Sequence, residues 1–150
     1  MIDEGGFMRA REILQMLPHR YPVLLVDRVE RCVPGESIAG FKNVTDGEFG
    51  ACGQARSMPR ALILEALAQI SVILTFRTLG ITPTGRELMF FAGIDSAEFG
   101  RPACRGDKLD LQSSVVRVMP GKGIGKFRTR ATIAGEVVAI ADMLAAIRMS

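Results

Sequence analysis

The sequence predicts an α+β protein in which a curved antiparallel sheet wraps one long buried helix. Three observations predict it. Residues 61–74 run Ala-Leu-Ile-Leu-Glu-Ala-Leu-Ala-Gln-Ile-Ser-Val-Ile-Leu and are apolar on nearly all sides. The chain after them reads as strands separated by turn signals. Only one short helix and two extended stretches precede them. A helix that is apolar all round belongs inside a core, and a curved antiparallel sheet is a surface broad enough to cover it. One sheet leaves edges and a face open, so a second copy of the chain is expected to complete the burial.

Each element has its own justification. Met8 to Leu17 reads as a short helix whose apolar side is Ile13, Leu14 and Leu17, ended by Pro18. Val23 to Val29 is apolar and β-rich, Pro34-Gly35 marks a turn, and Ser37 to Val44 resumes an extended pattern. Thr45 to Pro59 carries Gly47, Gly50, Gly53 and Pro59 without a sustained period, so it reads as a long loop of the kind that often serves function. The central helix is Ala- and Leu-rich and should run on to Leu79, with Gly80 as its stop. Four strands follow, over Glu87 to Ile94, Lys108 to Met119, Lys122 to Ile133 and Glu136 to Met149, with breaks at Met119-Pro120-Gly121-Lys122 and Ala134-Gly135. The expected organisation is a single domain over residues 1–150, with residues 1–10 free to flex.

Composition excludes several classes. Apolar residues make up 48% and charged residues 23%, which is a globular balance. Nineteen basic against sixteen acidic residues give +3, too small and dispersed a surplus to imply nucleic-acid binding. Cys32, Cys52 and Cys104 are odd in number and lack CxxC spacing, so neither a disulfide framework nor a zinc site is expected. The single histidine, His19, excludes a multi-histidine metal site within one chain. The opening residues lack a secretory pattern, and the apolar stretch 61–74 is too short to cross a bilayer. A cytoplasmic protein with reduced cysteines and no membrane insertion is expected.

Glu65 and Gln69 stand four residues apart and share one face of the central helix. A carboxylate among apolar neighbours must be paired, hydrogen-bonded or protonated. Desolvation would raise its pKa and suit it to general-acid work. Two readings stay open: a catalytic acid, or a pair satisfying buried backbone or a subunit contact. His19 lies in Leu17-Pro18-His19-Arg20-Tyr21-Pro22, stiffened by two prolines. The reading adopted is a histidine hydrogen-bonded in a turn that anchors the first strand, with general base as the alternative.

Residues 17–29, Leu-Pro-His-Arg-Tyr-Pro-Val-Leu-Leu-Val-Asp-Arg-Val, resemble the opening signature of the (3R)-hydroxyacyl-acyl carrier protein dehydratases of fatty acid synthesis. Lys42-Asn43-Val44-Thr45, Met58-Pro59 with Leu62-Ile63-Leu64-Glu65-Ala66-Leu67-Ala68-Gln69, Phe91-Ala92-Gly93-Ile94-Asp95, Arg101-Pro102 and Gly106-Asp107 resemble later blocks, in the same order. The resemblance covers about residues 11–148 and implies a hotdog fold. It also implies a dimer, often a trimer of dimers, with an interfacial tunnel for an acyl chain on a phosphopantetheine arm. The substrates it implies are thioesters of acyl carrier protein or coenzyme A. The implied reaction is that of a lyase, removing water from a 3-hydroxyacyl thioester without metal or cofactor. Glu65 then carries over as the catalytic glutamate, a candidate acid, and Gln69 as the helical glutamine; Gln69, Arg60, Phe91 and Gly93 are the candidate substrate-binding positions. Tunnel-lining side chains would lie around Phe90, Phe91, Ile70 and Leu74.

Two departures matter. The family places its catalytic histidine in a Gly-His-Phe-Pro block before the helix; here residues 48–59 are about three residues short, and Ala51 or Cys52 occupies the histidine's position. The family's glycine after Met-Pro, whose amide polarises the thioester carbonyl at the helix start, is Arg60. Arg60 could crowd the substrate, sit in solvent, or recruit an anion. Glu65 is therefore read as an acid with no imidazole opposing it. The functional expectation is an acyl-thioester-binding protein of dehydratase ancestry, weak or inactive as a homodimer. The alternatives are a partner subunit for a histidine-bearing dehydratase, an acyl thioesterase using Glu65, or a structural dimer with its tunnel closed.

Overall fold

The computed structural model describes residues 5–46 and 56–149. A seven-residue helix α1 (Ala10–Met16) leads to a strand pair, β1 (Arg28–Val33) and β2 (Ser37–Asn43). The central helix α2 (Arg60–Leu79) follows, then β3 (Glu87–Phe99), β4 (Lys108–Met119), β5 (Ile124–Ile133) and β6 (Glu136–Met149). All six strands join one antiparallel sheet in the order β1-β2-β4-β5-β6-β3. The late strands form hairpins as their turn residues require. Pro120–Lys122 is a single 3₁₀ turn, and Ala134 and Gly135 both have positive φ (49° and 83°), the signature of a two-residue hairpin loop that matches strand twist.

Helix α2 lies against the sheet's inner face. Ala66, Leu67, Ile70, Ile73 and Leu74 are fully buried, against Leu109, Leu111, Phe127, Ala139 and Ala141 of the strands. The helix stops where expected: Gly80 takes a left-handed conformation (φ 66°), and its amide reaches back to the last turn. Its 20 residues are long and apolar enough to cross a bilayer by length and composition, more than residues 61–74 alone suggest. However, 61% of that window is buried inside the fold, as in the core helix of a globular domain. The buried Ser71 hydroxyl is not left an orphan on its apolar surface: Ser71 Oγ lies 2.7 Å from Ser113 Oγ of β4 and donates to the Leu67 carbonyl.

Three expectations change. The first strand starts at Arg28, not Val23, because Pro18 and Pro22 lack amide hydrogens and the backbone at Val23 and Leu25 bonds to the Gln69 side chain. Sheet pairing begins only with the Asp27 amide on the Phe41 carbonyl. The first helix is shorter than Met8 to Leu17. Met8 instead exchanges two backbone bonds with Val29 (2.9 and 3.0 Å) and is 1% exposed, so this part of the 1–10 segment is held in the fold. The strand expected to end at Ile94 runs to Phe99, with irregular pairing at Phe91/Gly93 and Ile94/Ser96.

Strand β3 is one edge of the sheet and pairs only with β6. Phe90 and Ile94 are 51% and 45% exposed along it. Long apolar edges of this kind invite further strand pairing.

Candidate active site

The site is built on α2. Glu65 and Gln69 are one turn apart, so a neutral amide stands beside the carboxylate. Gln69 Nε2 donates to Glu65 Oε1 at 3.0 Å. Gln69 is 1% exposed, and its other bonds go to the extended loop before β1. Its Oε1 accepts the Leu25 amide at 2.8 Å, and its Nε2 also donates to the Val23 carbonyl at 2.7 Å. That loop delivers His19, whose Nε2 lies 3.3 Å from Glu65 Oε1.

This contact corrects two expectations. His19 is not held by its ring in a turn; its Nδ1 is buried with no hydrogen-bond partner among the described residues, and its Nε2 faces α2. Glu65 is not without an imidazole, because the chain's one histidine is within bonding reach of it. A third expectation also changes. Burial alone would raise the Glu65 pKa, but the hydrogen bond from His19 outweighs it, and Gln69 adds to the effect. The carboxyl is held below its ordinary range. The side chain is 42% exposed, which explains why desolvation loses.

A carboxyl whose folded pKa is depressed adds stability above its unfolded pKa, and this is lost as pH falls through the folded value. The stability difference between the native protein and Glu65→Gln should therefore shrink as pH falls through the carboxylate range. Urea midpoints of the two proteins at several pH values within the carboxylate range check this; a difference that grows as pH falls through that range would contradict it.

The other sequence-derived positions are less concentrated. Arg60 is exposed at the first turn of α2, its guanidinium 4.8 Å from the centre of the Phe99 ring. It has no ion pair or hydrogen bond among the described residues. Beside it, Ser57, Met58, Ile63, Phe99 and Arg101 line a groove of about 280 Å³. Phe91 is half-buried against the core, and a Cβ at Gly93 would meet nothing within 4 Å. None of Arg60, Phe91 and Gly93 bonds to Glu65. Ile70 and Leu74 are fully buried, whereas Phe90 is exposed. Ala51 and Cys52 lie outside the described residues. Cys32 and Cys104 are both free thiols, and burial pushes the Cys32 thiol pKa up. A second cavity, of about 370 Å³, adjoins His19 and is lined by Leu14, Leu17, Val72, Phe76 and Met89.

Residues 17–142 match the FabA-like domain model. The chain is 43% identical over 140 residues to the 3-hydroxyacyl-acyl-carrier-protein dehydratase FabZ of Dechloromonas aromatica, covering 91% of this chain and 96% of that one. The chain belongs to the FabA-like family of 3-hydroxyacyl-acyl-carrier-protein dehydratases. The FabZ of Shewanella loihica is 42% identical over 151 residues, covering 99% of this chain and 97% of the relative. Among solved structures, the dehydratase heterocomplex ApeI:P from Xenorhabdus doucetiae aligns with a TM-score of 0.74 at 16% identity, over 89% of each chain. A hypothetical thioesterase with coenzyme A from Streptococcus pneumoniae aligns at 0.63 and 10% identity, over 81% of this chain and 85% of that one. The six-stranded antiparallel sheet around one long helix is thus the hotdog fold of this dehydratase family.

Signal for His19 at this site was present but unreadable from spacing. Forty-six positions separate it from Glu65, and no local period joins a proline-stiffened loop to a distant helix face. The backbone groups of Val23 and Leu25 carry no sequence signal at all.

Proposed function

We propose that the protein binds 3-hydroxyacyl thioesters of acyl carrier protein or coenzyme A beside Glu65, and that as a homodimer it dehydrates them slowly. Family membership supports the substrate class. The observation that carries the reading of slow turnover is that the only imidazole of the chain is engaged with Glu65 from its own side. Dehydration needs a proton taken from the carbon α to the thioester and a proton given to the departing hydroxyl. With His19 beside the carboxylate and Ala51 or Cys52 where the family has histidine, no second imidazole opposes Glu65 across the substrate. Loss of one acid–base group costs about 10²–10⁴-fold. The β3 edge, with Phe90 and Ile94 exposed, offers a surface for the second copy. The cavity next to His19, lined by Leu14, Leu17, Val72, Phe76 and Met89 with Gln15, Arg20 and Glu87 also on its wall, has room for an acyl chain, and the Arg60 groove at the helix start suits the thioester's polar end.

The test is turnover of a 3-hydroxyacyl-acyl carrier protein by the purified protein. Substrate binding with a rate at least about 100-fold below that of a histidine-bearing relative is expected. Turnover at the relative's level, abolished by Glu65→Gln, would refute the slow-enzyme reading. Thiol release is measured in the same assay, because an ionised Glu65 could also activate water for thioester hydrolysis.

A second reading has its own support. The resemblance puts the family's glutamate at Glu65 and finds no histidine in residues 48–59, and one structural neighbour is a dehydratase heterocomplex. On this reading the protein is a partner subunit, and a related chain supplies the histidine. Mixing with a histidine-bearing relative should then raise activity above that of the relative alone; no gain in activity and no co-purification would end it.

A further inference from the structure

The loop carrying His19 is fastened on both sides. Gln69 holds Val23 and Leu25 beyond it. Arg20 Nη1 donates to the carbonyls of Leu17 (2.8 Å) and His19 (2.7 Å), and its Nη2 donates to that of Leu14 (3.2 Å). These bonds fix the backbone around His19, so the ring is delivered to Glu65. The two nitrogens that reach Glu65, His19 Nε2 and Gln69 Nε2, converge on the same oxygen, Oε1. Oε2 accepts no hydrogen bond from any described residue. The His19 contact is attractive with hydrogen on Nε2. Because Nδ1 is buried and unpartnered, the tautomer with a bare Nδ1 makes the contact without burying an unpaired N–H.

We propose that His19 is a positioning residue that, together with Gln69, clamps Oε1 of Glu65 and leaves Oε2 as the oxygen offered to substrate. The proposal rests on the reading of Glu65 as the group that faces substrate. His19 itself exchanges no proton with substrate; it acts through the orientation and ionisation of the carboxylate. In this chain Glu65 then meets substrate as an acceptor, of a proton or of a hydrogen bond from the 3-hydroxyl. It donates only after another group has protonated Oε2. The titratable and charged groups around it are few. The loop contributes His19 and Arg20, whose guanidinium is occupied by three carbonyls, and α2 contributes the neutral Gln69. No other charged group contacts Glu65 among the described residues.

The wild-type protein supplies the first test. Its one histidine makes the ring signal unambiguous, and the Glu65 carboxyl carbon is assigned by its loss in Glu65→Gln. In a carbon-13 NMR titration, that carbon should show its own inflection below the ordinary carboxylate range and a second one coincident with the titration of His19. In His19→Ala the second should vanish and the first should move up. In His19→Gln, which keeps an amide donor of similar reach, the first should stay low with no second. Turnover of a 3-hydroxyacyl thioester should fall about tenfold or more in His19→Ala through kcat, with KM little changed, and recover in part in His19→Gln. A wild-type carbon that ignores His19, or a His19→Ala titration equal to wild type, would overturn the proposal even if Glu65→Gln still abolished turnover. If His19→Ala does not fold, the wild-type titration and the glutamine variant decide. Coupled titration with turnover indifferent to Glu65→Gln would instead refute the functional reading.

Discussion

Replacing Gln69 by leucine is expected to lower the unfolding free energy by about 3 kcal/mol and to release the loop that carries His19. Leucine is close to glutamine in size, so no large cavity forms. What changes is hydrogen bonding. The Leu25 amide and the Val23 carbonyl lose their partner at once. Leu25 is fully buried, and a buried polar group left unpaired costs about 1–3 kcal/mol, whereas Val23 is 49% exposed and water can reach its backbone. Glu65 loses the Gln69 donor in the same step. A urea denaturation midpoint that falls with an unchanged slope would report the stability loss. Faster hydrogen exchange at the Leu25 amide would localise it. A shift below about 1 kcal/mol would mean that water replaces the amide easily and that Gln69 does not hold the loop.

Gly40→Ala is the other large effect, and its cause is steric. Gly40 pairs with Val29 in the β1–β2 ladder, next to an irregularity between Val29 and Arg31. A Cβ at Gly40 would stand 2.2 Å from the Arg28 carbonyl oxygen and 3.1 Å from the Val29 Cα. Both obstacles are backbone, so no rotamer change relieves them. Overpacking of this kind typically costs up to about 3 kcal/mol, and more where backbone must move. Strand β1 would separate from β2, and the loop 18–27 would lose its tie to the sheet through the Asp27 amide. Gly35 is the control. It sits in the β1–β2 turn at φ 80° with nothing within 4 Å of a Cβ, so Gly35→Ala should cost only about 1–2 kcal/mol, from its left-handed backbone. Thermal midpoints of the two variants compare them directly. Equal losses would show that the close approach at Gly40 is not what holds the pair together.

Much of the fold was legible because its signals are local. The all-apolar run from Ala61, closed by Gly80, marked α2 to its last residue. The hairpin breaks at Pro120 and Ala134-Gly135 marked the late strands. The strand reading of Val23 to Val29 failed for a physical reason. An apolar, β-rich stretch looks the same whether its backbone bonds to a neighbouring strand or to a side chain from a distant helix. Here the side chain of Gln69 takes those bonds.

The candidate site divides the same way. The sequence by itself determined that a carboxylate and an amide share a face of the core helix, that the chain has one imidazole, and that its ordered motifs resemble those of a dehydratase family. Four-residue helical spacing and residue identity suffice for that. Only the tertiary structure decided that His19 meets Glu65, that both donors fall on one carboxyl oxygen, and that the carboxyl pKa is lowered rather than raised. The sign of a pKa shift is set by a balance between burial and donors, and the donor that tips it here comes from a loop 46 residues away, brought into contact by the packing of the chain.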